Sequence, residues 1–481
     1  MIFNLFFKKK KNLYFSRDLF GVSPLYFFKN KQKLVISSKP SLIFNYGFTA
    51  NLVRKEYLYR YAGLHYRLID NNPHISPFKN IEQLPASKYA KYNLVSQKLD
   101  IIQYWNLEKT SLTTSTNERE LSEIYLEILK ESVKKRVSKK GKKIFSISGG
   151  LDSSSILCLA SDALNEKVDS YSVTYDDQEY DERSEIQDIT AFRSKKWHNF
   201  EIKTKLDLEK KLSRMIEIND EPIVTATWYT HFLATEKIKS KNYNLIYGGL
   251  GGDEFNAGEY EYFTFFFADC LKNKKDFLST EIEFWEKYHN HKVFKKNKRI
   301  ALDSINKFTD LKKSGLCKID YKRSFKYLDC LSKKKFNDIK LDYDLHCPLE
   351  SYLNNRTFHD LFYETLPCCL RAQHRHHSFF DMETINPFLD RKVAEFMFGI
   401  PYHLKIKNGV TKHLLRLSMK NILPETTRTR IKKTGWNAPA HLWFTGRNLE
   451  FVRDELVSKK FADKEIYNVK NVLRILNDHE S

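Results

Sequence analysis

The residues Ser148-Gly149-Gly150-Leu151-Asp152-Ser153 have the types and spacing needed to grip an anion. Residues 142–147 read as a short buried strand, and Ile156, Leu157, Leu159 and Ala160 follow at helical spacing. A strand that enters a glycine turn and then a helix offers bare backbone N–H groups and the positive end of the helix dipole. Gly149 and Gly150 admit phosphate oxygens to the main chain, and Ser148 and Ser153 add hydroxyls. Asp152 repels a phosphate on its own, so its presence calls for an intervening Mg²⁺. A second constellation, Gly248-Gly249-Leu250-Gly251-Gly252-Asp253-Glu254, follows the apolar Leu245-Ile246-Tyr247. Four glycines around an acid pair predict a loop pressed against a ligand at Gly251 and Gly252, with Asp253 on a cation.

The first loop lacks the Gly-Lys-Ser/Thr of a Walker motif. It resembles the pyrophosphate loop of PP-loop ATP pyrophosphatases, enzymes that cut ATP between the α and β phosphates. The second resembles the S-G-E-G-x-D-E segment of the asparagine synthetase family. That resemblance implies that Asp152 and Asp253 share one Mg²⁺ and that Ser148, Gly149, Gly150, Ser153, Gly251 and Gly252 hold ATP and pyrophosphate. It also implies a catalytic role for Asp253. The family's acid in this loop is Leu250 here, and leucine cannot move protons or hold ammonium.

Further segments carry the likeness. Thr411-Lys412-His413-Leu414-Leu415-Arg416 is similar to T-K-x-x-L-R, on a helix expected to end near Leu423-Pro424. Ile431-Lys432-Lys433-Thr434-Gly435-Trp436-Asn437-Ala438-Pro439 is similar to R-x-K-x-G-F-x-x-P. By that register Lys433 is the catalytic lysine, and Ile431 takes the place of the arginine. Its ammonium can neutralise charge on the phosphorane and on a tetrahedral oxyanion. Tyr180-Asp181-Glu182 and Asp220-Glu221-Pro222 resemble acidic turns of the nucleotide-binding half, although each acid suits a helix N-terminus equally. Arg375, Glu383 and Asn386-Pro387-Phe388-Leu389-Asp390 resemble R-N-S-M … E-x-R-x-P-F-L-D, with His374 and Ile385 departing from it. His374, His376 and His377 lack the spaced Cys/His partners of a metal site.

The elements that position these residues fall into two parts. Residues 1–110 read as β-rich, with strands near 11–16 and 34–38. Arg17-Asp18-Leu19-Phe20-Gly21-Val22-Ser23-Pro24-Leu25-Tyr26 and Ile81-Glu82-Gln83-Leu84-Pro85 resemble class II glutamine amidotransferase domains. Those glutaminases use an N-terminal cysteine, whereas the first cysteine here is Cys158, so glutaminase activity is not expected. This part reads either as a remnant kept for packing or as an incomplete start. A polar linker, 110–117, leads to the synthetase part, 117–481. There Ser115 and Glu118 have capping-box spacing, and Leu121, Ile124, Tyr125, Ile128, Leu129 and Val133 mark a helix face. The fold class that follows is α/β. A partial Ntn-type, β-rich amidotransferase-like domain precedes a doubly wound parallel-sheet PP-loop synthetase domain with a helical C-terminal part.

The 481 residues carry a net charge of +21, in short separated lysine runs at 8–11 and 333–335. Dispersed surface lysine explains that charge better than a nucleic-acid site, so nucleic acid is not an expected partner. Seven cysteines without a C-x-x-C suit a reducing compartment, and no apolar run is long enough to span a membrane. A cytoplasmic enzyme is expected, with a homodimer as one option. It would use ATP and Mg²⁺ to activate a carboxylate as acyl-AMP, which ammonia or an amine then converts to an amide. The amine case resembles β-lactam and macrolactam synthetases. Rivals of another class are a PP-loop RNA-modifying protein and a silent ATP-binding protein.

Overall fold

The computed structural model describes residues 5–113, 115–203, 208–339, 345–432 and 438–480. Two antiparallel sheets open the chain. The first has the order β1-β2-β6-β7, from β1 (Leu5–Lys9), β2 (Asn12–Ser16), β6 (Lys88–Asn93) and β7 (Leu99–Gln103). The second has the order β4-β3-β5, from β3 (Tyr26–Lys29), β4 (Leu34–Ser37) and β5 (Ile81–Gln83). Phe15, Phe27, Leu84 and Ala90 pack together between these strands.

The Arg17-Asp18 pair is the frame of the loop after β2. Arg17 is buried and donates to the carbonyls of Gly21 at 2.7 Å, Leu84 at 2.9 Å and Ser23 at 3.1 Å. Asp18 accepts from the backbone N–H groups of Phe20, Val22 and Ser23. Gly21 has φ +70, and a Cβ there would lie 2.8 Å from the Arg17 guanidinium.

The second part is built on a parallel sheet in the order β10-β9-β8-β11-β12. Its strands are β8 (Lys143–Ser146), β9 (Val168–Tyr175), β10 (Ser194–Ile202), β11 (Leu245–Tyr247) and β12 (Glu383–Ile385). Successive residues alternate between two cores. Phe145 and Tyr247 stack at 4.6 Å in the larger one, with Leu157, Ile186 and Leu415. Ile144 and Ile246 face the other, with Tyr171, Phe200 and Ile238. Helices therefore cover both faces, as the doubly wound class requires. A small hairpin, β13 (Ile406–Lys407) and β14 (Val410–Thr411), follows.

The two parts share one core. Phe20 lies 5.4 Å from Trp105, 5.9 Å from Phe255 and 6.2 Å from Phe362, ring to ring. A buried ionic knot reinforces the seam. Arg371 donates to Glu221 at 2.6 Å and to Asp70 at 2.7 Å, and Tyr57 donates to Glu221. Asp220 accepts from the Ser41 N–H at 2.9 Å and pairs with Lys39 at 3.1 Å. The Asp220-Glu221-Pro222 turn thus serves the seam.

Three expectations are corrected. The N-cap of the helix Glu118–Val137 is Asn117, whose side-chain Oδ1 accepts from the Glu120 N–H at 3.2 Å; Ser115 instead reaches the Glu120 carboxylate. Ile124 is 40% exposed, and the buried stripe runs Leu121, Tyr125, Leu129, Val133, Val137. Lys412 does not lie on a helix: it sits in left-handed backbone, φ 59 and ψ 32, before the short helix His413–Ser418.

Candidate active site

β8 and β11 are adjacent and parallel, with Phe145 opposite Tyr247, so the loops after them leave the same edge of the sheet side by side. The first loop runs into the helix Leu151–Leu164, with Gly150 as N-cap. Gly149 adopts φ +60. The loop closes on itself through its serines: the Ser148 N–H lies 3.3 Å from the Ser153 hydroxyl, which donates to the Gly150 carbonyl at 3.3 Å. Ser148 and Ser153 hydroxyls lie 3.4 Å apart.

The second loop enters the short helix Gly252–Asn256 through Gly251, at φ +92. It presses so closely on the first that side chains are excluded. A Cβ on Gly252 would lie 2.4 Å from Asp152 Cγ, and one on Gly249 would lie 3.1 Å from the Ser153 N. A Cβ on Gly258 would meet Asp253 Oδ1 at 2.0 Å and Lys412 Cε at 2.3 Å. Gly249, Gly252 and Gly258 are needed for the close approach to Asp152, Ser153, Asp253 and Lys412.

Asp152 and Asp253 converge on a cation, and that cation is Lys412. Its ammonium contacts an Asp152 carboxylate oxygen and lies 2.7 Å from Asp253 Oδ1. The three side chains are 12%, 26% and 7% exposed, respectively. Asn256 organises the surroundings. It donates to the Gly252 carbonyl at 2.9 Å, accepts from the Tyr125 hydroxyl at 3.0 Å, and its carbonyl accepts from the Lys412 N–H at 3.2 Å. Burial, with Asp253 and Asp360 adding to it, drives the Glu254 carboxyl well above the usual carboxylate range. Burial lowers Arg416 to about 10, against the opposing pull of Asp152.

Arg430 pins the first loop from above, donating to the Gly149 carbonyl at 2.8 Å and towards Glu185 O at 3.4 Å. Ile431 takes the arginine's place in the motif, and the sequence alone gives no role to Arg430. Lys433, Gly435 and Trp436 lie outside the described residues. Lys412 carried a motif match with no role attached, and Asn256 had no signal at all. Leu250 packs against the main core.

Other residues singled out by the sequence lie elsewhere. Glu383 starts β12 opposite Leu245, where it pairs with Lys139 at the sheet edge far from both loops. Asp181 pairs with Arg183 at 2.7 Å. His376 and His377 are buried against His231, ring centroids 5.3 and 4.9 Å away. No group of three His, Cys, Asp or Glu among the described residues is arranged to hold a metal ion.

Comparisons with known proteins fit this layout. A family model described as "Asparagine synthase" matches residues 125–481, and one described as "Glutamine amidotransferase domain" matches residues 1–105. Asparagine synthetase [glutamine-hydrolyzing] 3 of Bacillus subtilis is 23% identical over 452 residues, 91% of this chain and 67% of that protein. Putative asparagine synthetase [glutamine-hydrolyzing] 2 of Methanocaldococcus jannaschii is 24% identical over 278 residues, 57% of this chain and 52% of that protein. Asparagine synthetase [glutamine-hydrolyzing] 1 of Bacillus subtilis is 39% identical over 93 residues, 19% of this chain and 14% of that protein. The chain therefore spans between 14% and 67% of the length of these curated relatives. The first of the two models covers well over half of the sequence, and the chain belongs to the asparagine synthase family.

Proposed function

We propose that this protein is an ATP-dependent amide-forming ligase. A carboxylate oxygen of the acid substrate attacks the α-phosphorus of ATP, the bond to the β-phosphate oxygen breaks, and pyrophosphate leaves. A nitrogen lone pair then attacks the acyl carbon, the carbon–oxygen bond to AMP breaks, and the nitrogen loses a proton.

The observation that carries this reading is the meeting of Asp152 and Asp253 from two strand-end loops on one cation beside a helix N-terminus. A pair of carboxylates around a positive charge is a donor set that suits Mg²⁺, and Asp152 and Asp253 would hold it. Bound there, Mg²⁺ would neutralise the departing pyrophosphate. Lys412 is close enough to release the carboxylates and turn its ammonium to phosphate oxygens. Ser148, Ser153 and the N–H groups of the first loop bind the same oxygens, with Arg430 holding that loop in shape. Gly251 and Gly252 keep the second loop close, and Lys433 is assigned to charge stabilisation when the acyl carbon is attacked.

Leu250 favours a second form of this chemistry. An apolar side chain where relatives of the family place an acid suits a neutral amine better than an ammonium ion. The acceptor would then be an amine of the substrate itself or of a second molecule. AMP release measured with aspartate or other acids, against ammonium, glutamine and amines, tests both forms. AMP production that needs an acid and a nitrogen source supports the ligase. ATP binding with no pyrophosphate exchange for any acid contradicts it.

A further inference from the structure

Away from the two loops, one cysteine is set up to react. Cys347 is half-buried, and two nitrogens lie against its sulfur. The Cys317 N–H donates to Cys347 Sγ at 3.4 Å, and His359 Nε2 lies 3.8 Å from it. His359 Nε2 also donates to the His346 carbonyl, which fixes the ring with that nitrogen towards the sulfur. Cys317 is 4% exposed, with its Sγ 3.5 Å from the carbonyls of Gly315 and Tyr352.

Donors of this kind favour a thiolate over a thiol. The Cys317 thiol first, and His359 with it, pull Cys347 down to about 4, against the opposing effect of burial. Cys317 is pushed well up, chiefly by burial. The two sulfurs are thus unlike: Cys347 is half-buried and its thiolate is favoured, while Cys317 is buried and its thiol is favoured. A metal reading fails, because no three such ligands among the described residues are arranged for an ion.

We propose that Cys347 and Cys317 form a peroxide-responsive pair, with Cys347 as the attacking sulfur and Cys317 as the resolving thiol. Cys347 attacks one oxygen of hydrogen peroxide, the O–O bond breaks, and hydroxide leaves and is protonated. The resulting sulfenic acid is attacked by Cys317, which gives up its proton; the S–S bond forms, the S–O bond breaks, and water leaves. Two thiols supply two electrons, and one peroxide becomes two waters. The disulfide closes a loop of about 30 residues, tying the 345–348 segment to the strand-like bridge between Thr309 and Cys317 that follows the helix Lys298–Phe308.

Two measurements on the full-length protein test this. Iodoacetamide alkylation of Cys347, followed by peptide mass spectrometry, should keep nearly the same rate from pH 6 to pH 8. A free thiol such as N-acetylcysteine rises about tenfold per pH unit in that range. After hydrogen peroxide, the Cys317 and Cys347 peptides should appear cross-linked, and Cys317→Ser should leave Cys347 as a dimedone-reactive sulfenic acid. Alkylation that follows the pH dependence of the free thiol overturns the proposal. So does peroxide treatment that leaves both cysteines reduced while the folded protein oxidises elsewhere.

Discussion

Lys412→Met separates the charge of the bridging lysine from its bulk. The variant keeps an apolar stem of similar length and leaves Asp152 and Asp253 facing each other. All three side chains are largely buried, at 7%, 12% and 26% exposure, so solvent screens little of the interaction. Unit charges about 3 Å apart at an effective dielectric of about 20 interact by about 5 kcal/mol. Desolvation offsets part of that, and breaking a buried pair costs about 3–5 kcal/mol. For a chain of 481 residues, a loss of about 3 kcal/mol corresponds to a melting temperature lower by about 3 °C. Mg²⁺ should then act differently on the two proteins. In the native enzyme without nucleotide, Lys412 already neutralises the site, and Mg²⁺ should move melting little. In Lys412→Met, Mg²⁺ at 100 times its dissociation constant should restore about 2.7 kcal/mol. Thermal unfolding titrated with MgCl₂, at ionic strength held constant with NaCl, reads both effects. Equal melting of variant and native protein, or an equal response to Mg²⁺, refutes the shared-cation arrangement.

Four further outcomes are expected. Gly252→Ala should abolish pyrophosphate exchange without unfolding the protein, since its Cβ would stand 2.4 Å from Asp152 Cγ; full exchange activity would show that the loops do not meet as described. Arg371→Met should cost about 3–5 kcal/mol in urea unfolding, because Asp70 and Glu221 stay buried without their partner. Stability should fall as pH drops below about 6.5. Burial holds His231 at about 3 and lowers His376 and His377, so the unfolded chain takes up protons that the folded one does not. Each histidine contributes at most about 1.4 kcal/mol per pH unit between its unfolded and folded values. Urea midpoints at pH 7 and pH 5 measure this, and His376→Leu should flatten the slope. Lys433→Ala should abolish amide formation while leaving ATP affinity within a few-fold; unchanged turnover removes that lysine from the chemistry.

The parts of this site that the sequence made visible are those set by the backbone. Glycines at 149, 251 and 252 signal positive φ or close approach, and an acid beside each glycine run signals a cation. The residue pattern found β8 and β11 because each is apolar and short. What escaped notice depends on distant contacts. Lys412 acquires meaning only when the chain returns 260 residues later to Asp152. Arg430 gains its place only through the Gly149 carbonyl, 281 residues away in the chain. Asn256 is a polar residue whose three partners come from three different segments. β10 and β12 were overlooked because charged residues at their starts hide the apolar run, as Lys195-Lys196 and Glu383 do. The acids at 220 and 221 resemble ligands in one dimension, but their partners are Lys39 and Arg371 at the seam.

A crystal grown with Mn²⁺ and α,β-methylene-ATP, with data collected at the manganese edge, addresses the central claim most directly. The account predicts an anomalous peak bonded to both Asp152 and Asp253, with the Lys412 ammonium turned to a phosphate oxygen and the triphosphate lying along residues 148–153. Nucleotide bound elsewhere, or manganese touching only one of these aspartates, would contradict it.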